Sequence, residues 1–97
     1  MIRRDDALAI LRDSKDRFRE RYGITRMGIF GSVARDIVCE GSDVDVVVQM
    51  QSPNLFTLVH VKEELEEAFH EPVDIIHYRE RMNAFLKKRI DQETIYV

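Results

Sequence analysis

The sequence of 97 residues predicts an α/β (or α+β) fold, with about four helices packed on a small mixed sheet of about three strands. Apolar residues recur at helical spacing in some segments and form short continuous or alternating runs in others. Gly23, Gly31 and Pro72 separate these segments, as helix and strand terminators do. The length and the 44% hydrophobic content indicate one domain, residues 1–97, with a modest core.

The first half of the chain predicts a helix, a strand and a short helix. A helical stripe of apolar residues runs from Arg3 to about Tyr22, and Gly23 is suited to cap its C-terminal end. Ile24 to Phe30 is predicted as a strand that ends at Gly31. Val33 to Ile37 is predicted to make one or two helical turns.

The second half predicts two strands and two helices. Asp43 to Met50 is a strand, and Asn54 can cap a helix from Leu55 to about His70. The expected core positions of that helix are Leu55, Leu58, Val59, Leu65 and Phe69. The remaining elements are a strand at Val73 to Tyr78, a helix at Asn83 to Ile90 and an extended tail at 95–97.

Two aspartates, Asp43 and Asp45, stand at alternate positions at the start of the second predicted strand. Alternate strand residues point to the same face, so the two carboxylates can lie side by side. Solvated surface carboxylates are the ordinary interpretation of an isolated Asp-x-Asp. Here the rest of the strand is strongly apolar, and unpaired buried charges are costly. Because Mg²⁺ prefers oxygen ligands, the pair predicts a metal site.

A third aspartate, Asp74, lies inside the apolar third predicted strand, where burial and strand propensity both disfavour it. It can be a structural carboxylate paired with an arginine. It can equally be a third ligand, and three carboxylates from neighbouring strands can hold two Mg²⁺ ions.

The Gly31-Ser32 turn precedes these aspartates by a short connection. Gly31 allows close approach of the backbone to a phosphate, and Ser32 offers a hydroxyl. An ordinary strand-to-helix turn with Ser32 as N-cap is the alternative. The spacing of the turn to Asp43 and Asp45 favours a phosphate site beside a metal pair, which is the arrangement that nucleotidyl transfer requires.

Three motifs, GSVAR at 31–35, SDVDV at 42–46 and VDI at 73–75, occur in this order. In this combination the chain closely resembles the minimal nucleotidyltransferases of the DNA polymerase beta-like superfamily. The flanking helices also fit in order and length, so the resemblance covers nearly the whole chain. It implies a polymerase beta-like nucleotidyltransferase fold.

The resemblance also implies roles for the matched residues. Gly31 and Ser32 would bind the phosphates of ATP, and Asp43 and Asp45 would bind the two Mg²⁺ ions. Asp74 would hold the catalytic ion and help to activate the attacking hydroxyl.

Two further positions, Ser42 and Arg35, are candidate nucleotide-binding residues by the same resemblance. For Arg35, a phosphate contact and a structural ion pair both remain open. The chain departs from the family pattern at Asp36, where glycine usually follows the arginine, and this departure puts the shape of the loop in doubt.

Stand-alone domains of this family resemble the antitoxin half of two-gene systems whose other half is a HEPN ribonuclease. The resemblance implies Mg²⁺-dependent transfer of AMP from ATP to a tyrosine of that toxin. Two alternatives are an antitoxin that neutralises by binding alone and a small-molecule nucleotidyltransferase. The second would need an acceptor pocket of its own, and we expect a partner or a second copy to complete that pocket here.

The bulk composition limits other functions. The formal net charge of −3 disfavours a direct nucleic-acid binder. One cysteine and no apolar h-region after the first charges predict a cytoplasmic protein, and no apolar run predicts a membrane span. Exposed apolar positions expected on the first and last helices are compatible with a homo- or hetero-oligomer.

Overall fold

The computed structural model describes residues 2–37 and 43–97, and its elements follow the predicted order. They are α1 (Arg4–Tyr22), β1 (Ile24–Phe30), α2 (Gly31–Ala34), β2 (Val44–Met50), α3 (Leu55–Phe69), β3 (Val73–His77), α4 (Ala84–Glu93) and β4 (Ile95–Tyr96). Within these residues, no helix combines the length and the apolar character that a bilayer crossing demands.

The strands form one mixed sheet in the order β3-β2-β1-β4. β1 is antiparallel to β2 and β4, whereas β2 and β3 are parallel. The predicted α/β class with about four helices is therefore confirmed. The strand count is four rather than three, because the tail predicted at 95–97 pairs Ile95 with Ile29 and Tyr96 with Gly28.

The main core lies on one face of the sheet, under α1 and α3. Alternation along β2 turns Val44, Val46 and Val48 towards it, and all three are fully buried. Phe18 of α1 and Leu65 of α3 are likewise buried against this face. This burial of apolar side chains fixes the strand register, because a shift of one residue would reverse the faces of β2.

The opposite face has a smaller core under α4. Phe30, Val47 and Ile90 are buried together there. Asp45 precedes Val47 by two residues and therefore lies on this second face, beyond the end of the small core. The predicted metal and phosphate site therefore lies on the face of the sheet that α4 covers only partly.

Local signals set several element boundaries as predicted. Gly23 adopts a left-handed conformation at φ 70° and its N–H donates to two carbonyls at the end of α1. The Asn54 side chain accepts hydrogen bonds from the backbone of Phe56 and Thr57 at the start of α3. The short helix begins at Gly31 rather than at the predicted Val33.

Two of the five predicted core positions of α3 are wrong. Leu55 and Val59 are 73% and 44% exposed, whereas Leu65 and Phe69 are buried and Leu58 is partly buried. Val61, which the prediction omitted, is fully buried. The buried stripe runs through 58, 61, 65 and 69, and Val59 lies about 100° around the helix from Leu58.

Exposed large apolar residues are found on α3 and α4. Phe56 and Phe85 are the most exposed of them. The expectation for the last helix is confirmed by Phe85, but the expectation for the first helix is wrong. In 4–22 the large apolar residues pack onto the sheet or lie partly buried against its core, and among the apolar residues of this range only the small Ala9 is exposed.

Candidate active site

The parallel pairing of β2 and β3 places Asp45 directly opposite Asp74. Paired residues of neighbouring strands point to the same face, so both carboxylates project on the α4 side of the sheet. Asp43 lies two residues before Asp45, just outside the strand. Asp45 is half-buried, and Asp43 and Asp74 are exposed, so the carboxylates are open to a ligand that arrives from solvent.

Asp45 occupies an electrostatically unfavourable position. Burial raises the pKa of its carboxyl group, and the charges of Asp74 and then Asp43 raise that pKa further. Arg89, on α4, acts in the opposite direction. The fold therefore brings negative charges together without fully compensating them, an arrangement that a cation would relieve.

These carboxylates fit Mg²⁺ delivered with a ligand better than a resident metal. Among residues 2–37 and 43–97, no three Asp, Glu, His or Cys side chains are grouped so as to hold an ion by themselves. Mg²⁺ usually keeps several waters and binds through one or two carboxylates plus substrate phosphates. The open arrangement of hard oxygen donors around Asp45 satisfies that requirement.

The first turn after β1 is shaped for close approach to Asp45. Gly31 has φ 76°, a left-handed conformation, and a Cβ atom added there would overlap Asp45 Oδ2. A side chain at this position would therefore force the Asp45 carboxylate to move. Ser32 follows, and the space in front of the turn is an open cavity of about 460 Å³ whose walls include Gly31, Ser32, Arg35, Asp43, Asp45 and Arg89.

Arg35 lies at the cavity wall and is also ion-paired. Its Nη1 atom lies 3.2 Å from Oε1 of Glu93 on α4, and its side chain is half exposed. The structure thus shows the ion pair that the sequence left open, and it leaves the guanidinium at the cavity where a phosphate contact is also possible.

Six of the seven predicted site residues are described, and five of them line one cavity. Asp74 is not part of that wall and is brought to the site by its register with Asp45. Ser42 falls within 38–42 and lies outside the described residues.

The polymerase beta nucleotidyltransferase family model matches residues 12–97. The chain belongs to this family. Protein adenylyltransferase MntA of Thermococcus cleftensis is 31% identical over 98 residues, which covers 100% of this chain and 98% of the relative. A candidate protein adenylyltransferase of Methanocaldococcus jannaschii is 33% identical over 89 residues, or 91% of each chain.

Several solved structures have the same fold as this chain. A candidate minimal nucleotidyltransferase superposes with a TM-score of 0.77 at 28% identity, covering 97% of this chain and 95% of that one. A chain from a toxin–antitoxin structure with AMP-PNP gives 0.70 at 17% identity, covering 98% and 72%. A chain from a complex of tri-AMPylated Shewanella oneidensis HEPN toxin with MNT antitoxin gives 0.66 at 14%, covering 98% and 71%.

Asp36, the departure from the family pattern, has a structural explanation. Its φ is 57°, the left-handed conformation in which glycine is usual. Arg3 donates two hydrogen bonds to its carboxylate, at 3.0 and 2.7 Å, and the backbone N–H of Arg4 donates a third at 3.3 Å. The hydrogen bonds from Arg3 and Arg4 lower the pKa of Asp36 to about 2.

Two residues near the nucleotidyltransferase site were missed by the sequence analysis. Arg89 lies at the cavity wall, with its guanidinium 5.3 Å from the centre of the Phe30 ring. Glu66 accepts a hydrogen bond of 3.0 Å from the backbone N–H of Val73, the residue before Asp74. Neither residue stands in a recognisable motif, and both reach their positions through tertiary packing.

Proposed function

We propose that this nucleotidyltransferase, acting as a single domain over residues 1–97, transfers AMP from ATP to a tyrosine of a HEPN-type ribonuclease toxin. The attacking tyrosine hydroxyl forms a bond to the alpha-phosphorus, the bond to the bridging oxygen breaks, and pyrophosphate leaves with that oxygen. The hydroxyl proton passes to a base or solvent. The added AMP groups would obstruct the ribonuclease site, which makes the protein an antitoxin.

The proposed site residues divide this task in two. Asp43, Asp45 and Asp74 are the residues that would hold two Mg²⁺ ions, which when bound offset charge on the reacting oxygens. Gly31 and Ser32 position the phosphates against these carboxylates, and Ser42 is a further candidate for the nucleotide. Positioning of this kind supplies much of the rate enhancement in phosphoryl chemistry.

The observation that carries the proposal is the register of Asp45 with Asp74 beside the Gly31 turn. This register sets Asp74 beside Asp45, and Asp45 lines the open cavity together with Asp43 and the Gly31 turn. Two relatives at 31% and 33% identity bear the name protein adenylyltransferase, one of them as a candidate, and this supports a protein as the acceptor.

The test combines the purified protein, ATP, Mg²⁺ and a HEPN-type protein as the candidate acceptor, and measures the intact mass of the HEPN protein. We expect a gain of one or more AMP groups with the wild type and none with Asp45→Asn. Asp16→Asn, a matched change on the exposed side of α1, should behave as the wild type. An unchanged mass with the wild type, or an equal gain with Asp45→Asn, would reject the proposal.

A toxin assay in cells separates catalysis from neutralisation by binding alone. If the protein acts through AMP transfer, Asp45→Asn should fail to restore growth while still forming a complex with the HEPN protein. Full protection by Asp45→Asn would instead establish a binding antitoxin.

A further inference from the structure

One carboxylate, Glu93 near the end of α4, bridges two arginines at the cavity wall. Its Oε1 lies 3.2 Å from Arg35 Nη1, and its Oε2 lies 3.0 Å from Arg89 Nε. Glu93 is the most buried of the three side chains at 24% exposure, against 51% for Arg35 and 43% for Arg89. One carboxylate thus holds both guanidiniums, and both arginines line the cavity.

The position of Arg89 is fixed by a neighbouring carboxylate, by an aromatic ring and by the packing of its helix. Glu93 contacts it one helical turn further along α4, and the ring of Phe30 lies beneath its guanidinium. The part of the chain that carries Arg89 and Glu93 is itself anchored by the residues Ile90 and Ile95. Ile90 is fully buried in the smaller core, and Ile95 pairs with β1 directly after the helix. Arg89 is therefore oriented by the fold rather than by solvent contacts.

Within residues 2–37 and 43–97, the hydrogen bonds of the two arginines leave further donor edges on both guanidiniums. Arg89 contacts Glu93 through Nε and Arg35 does so through Nη1. Each guanidinium has five N–H groups in a planar fork that matches phosphate oxygens. Asp43 and Asp45 line the same cavity as the arginines, so a metal-bearing polyphosphate there would find carboxylates for the metal and guanidiniums for the phosphates.

We propose that Arg35 and Arg89 bind the beta- and gamma-phosphates of the nucleotide, and that Glu93 is a positioning residue that holds the pair in place. This inference rests on the proposed function, since it assigns the leaving pyrophosphate to that same site. The arginines would stabilise the charge that the departing pyrophosphate gains. Glu93 contributes little net repulsion, because two guanidiniums neutralise its carboxylate, and its effect is to restrict two long side chains.

Nucleotide binding without any acceptor tests the arginine pair. Calorimetry with Mg²⁺ compares ATP, AMP and inorganic tripolyphosphate on the full-length wild type, Arg89→Gln and Lys88→Gln. Lys88 is the exposed neighbour on the same helix, so Lys88→Gln is matched in charge and backbone position. We expect Arg89→Gln to weaken ATP and tripolyphosphate binding about tenfold or more and to leave AMP binding unchanged.

The positioning role of Glu93 needs a separate measurement. Glu93→Ala should weaken ATP binding in the wild-type background and have a clearly smaller effect in the Arg89→Gln background, because the two residues act together. Tighter ATP binding by Glu93→Ala, or an equal loss of ATP affinity in both backgrounds, would contradict the positioning role of Glu93.

The outcomes also distinguish this inference from the proposed function. If Arg89→Gln binds ATP as Lys88→Gln does, the arginine pair is rejected while AMP transfer stands. If Arg89→Gln weakens AMP binding as much as ATP binding, the arginine pair does not bind the beta- and gamma-phosphates, and the inference is again rejected. If the wild type binds neither ATP nor tripolyphosphate with Mg²⁺, both proposals fail.

Discussion

At the scale of single residues, the site is built around a carboxylate that folding places in an unfavourable environment. Burial and two neighbouring carboxylates raise the pKa of Asp45, and Gly31 leaves room for its Oδ2 atom where any side chain would overlap it. Such an arrangement costs stability in the absence of a cation and favours binding when one arrives. Function and stability therefore oppose each other at this residue.

This opposition predicts the behaviour of Asp45→Asn. Since the pKa of Asp45 is higher in the folded protein than in the unfolded chain, the wild type loses stability as the pH rises through the folded pKa. In metal-free buffer we expect Asp45→Asn to melt at a higher temperature than the wild type at pH 7. The difference should shrink towards pH 4, as thermal melts at several pH values will show.

The same substitution should reduce AMP transfer by at least about 100-fold, because changes even to outer-shell partners of a metal cost 10- to 100-fold. Asp16→Asn provides the control for both measurements. A melting temperature below that of the wild type at pH 7 would contradict the assignment of Asp45 as a strained ligand.

Gly31 and Gly23 form a matched pair for a second prediction. Both have positive φ, at 76° and 70°, but a Cβ atom at Gly23 would meet nothing within 4 Å. Gly23→Ala should therefore cost only the conformational strain, about 1–2 kcal/mol, and keep nucleotide binding. Gly31→Ala should carry the same strain and also displace Asp45, so that Mg²⁺-dependent ATP binding is lost. Equal ATP affinity in the two variants would contradict the tight turn.

Asp36 gives a third prediction, with the opposite sign of pH dependence. Because its folded pKa is lowered to about 2, its ion pair with Arg3 stabilises the protein above the ordinary carboxyl pKa near 4. That stabilisation is lost as the pH falls from about 4 towards 2. Urea midpoints should show Asp36→Asn less stable than the wild type at pH 7, with the difference narrowing towards pH 2. A difference independent of pH would exclude this ion pair.

At the scale of elements, local patterns predicted most boundaries, and long-range packing decided the rest. The alternation in β2 and the caps at Gly23 and Asn54 are local signals, and the structural features that they predict are confirmed. β4 has only two residues, too few for any period, and it becomes a strand only by pairing with β1. Its existence therefore could not be inferred from the residues of the tail alone.

The same limit applies to α4 and the arginine it presents. Positions 87 to 89 are all basic, and the sequence offers no reason to select Arg89 among them. Burial of Ile90 against Phe30 and Val47 fixes the rotation of the helix and brings Arg89 to the cavity. By contrast, Asp45 and Asp74 could be selected as candidates from the sequence, because a charge inside an apolar strand is conspicuous, and the structure pairs them across β2 and β3.

Gly28 gives a prediction at this scale, because it is where β4 approaches β1. A Cβ atom there would lie 2.5 Å from the Ile95 carbonyl oxygen and 2.9 Å from Tyr96 Cα. Backbone cannot move aside as a flexible side chain can, so Gly28→Ala should displace β4 and the end of α4. We expect a loss of about 1–3 kcal/mol in urea unfolding and weaker ATP binding. Wild-type ATP affinity in Gly28→Ala would show that the position of β4 does not affect nucleotide binding at the candidate site.

At the scale of the whole molecule, the two faces of the sheet have different tasks. The face under α1 and α3 holds most of the buried apolar side chains. The face under α4 has only a small core, and beyond its end Asp43 and Asp45 line one cavity with Arg35 and Arg89. Exposed apolar residues on α3 and α4, such as Phe56 and Phe85, lie on both sides of the sheet. Because the main core lies on the other face of the sheet, the candidate site can remain open without weakening that core.

The central claim is that Asp43, Asp45 and Asp74 converge on divalent ions that accompany a nucleotide. The most direct measurement is a crystal structure with Mn²⁺ and a non-hydrolysable ATP analogue, with the ions located by anomalous scattering. We predict two peaks, each within coordination distance of at least one of these carboxylates, with the phosphates against Gly31 and Ser32. Peaks on the phosphates alone, with Asp45 and Asp74 turned away, would contradict the account.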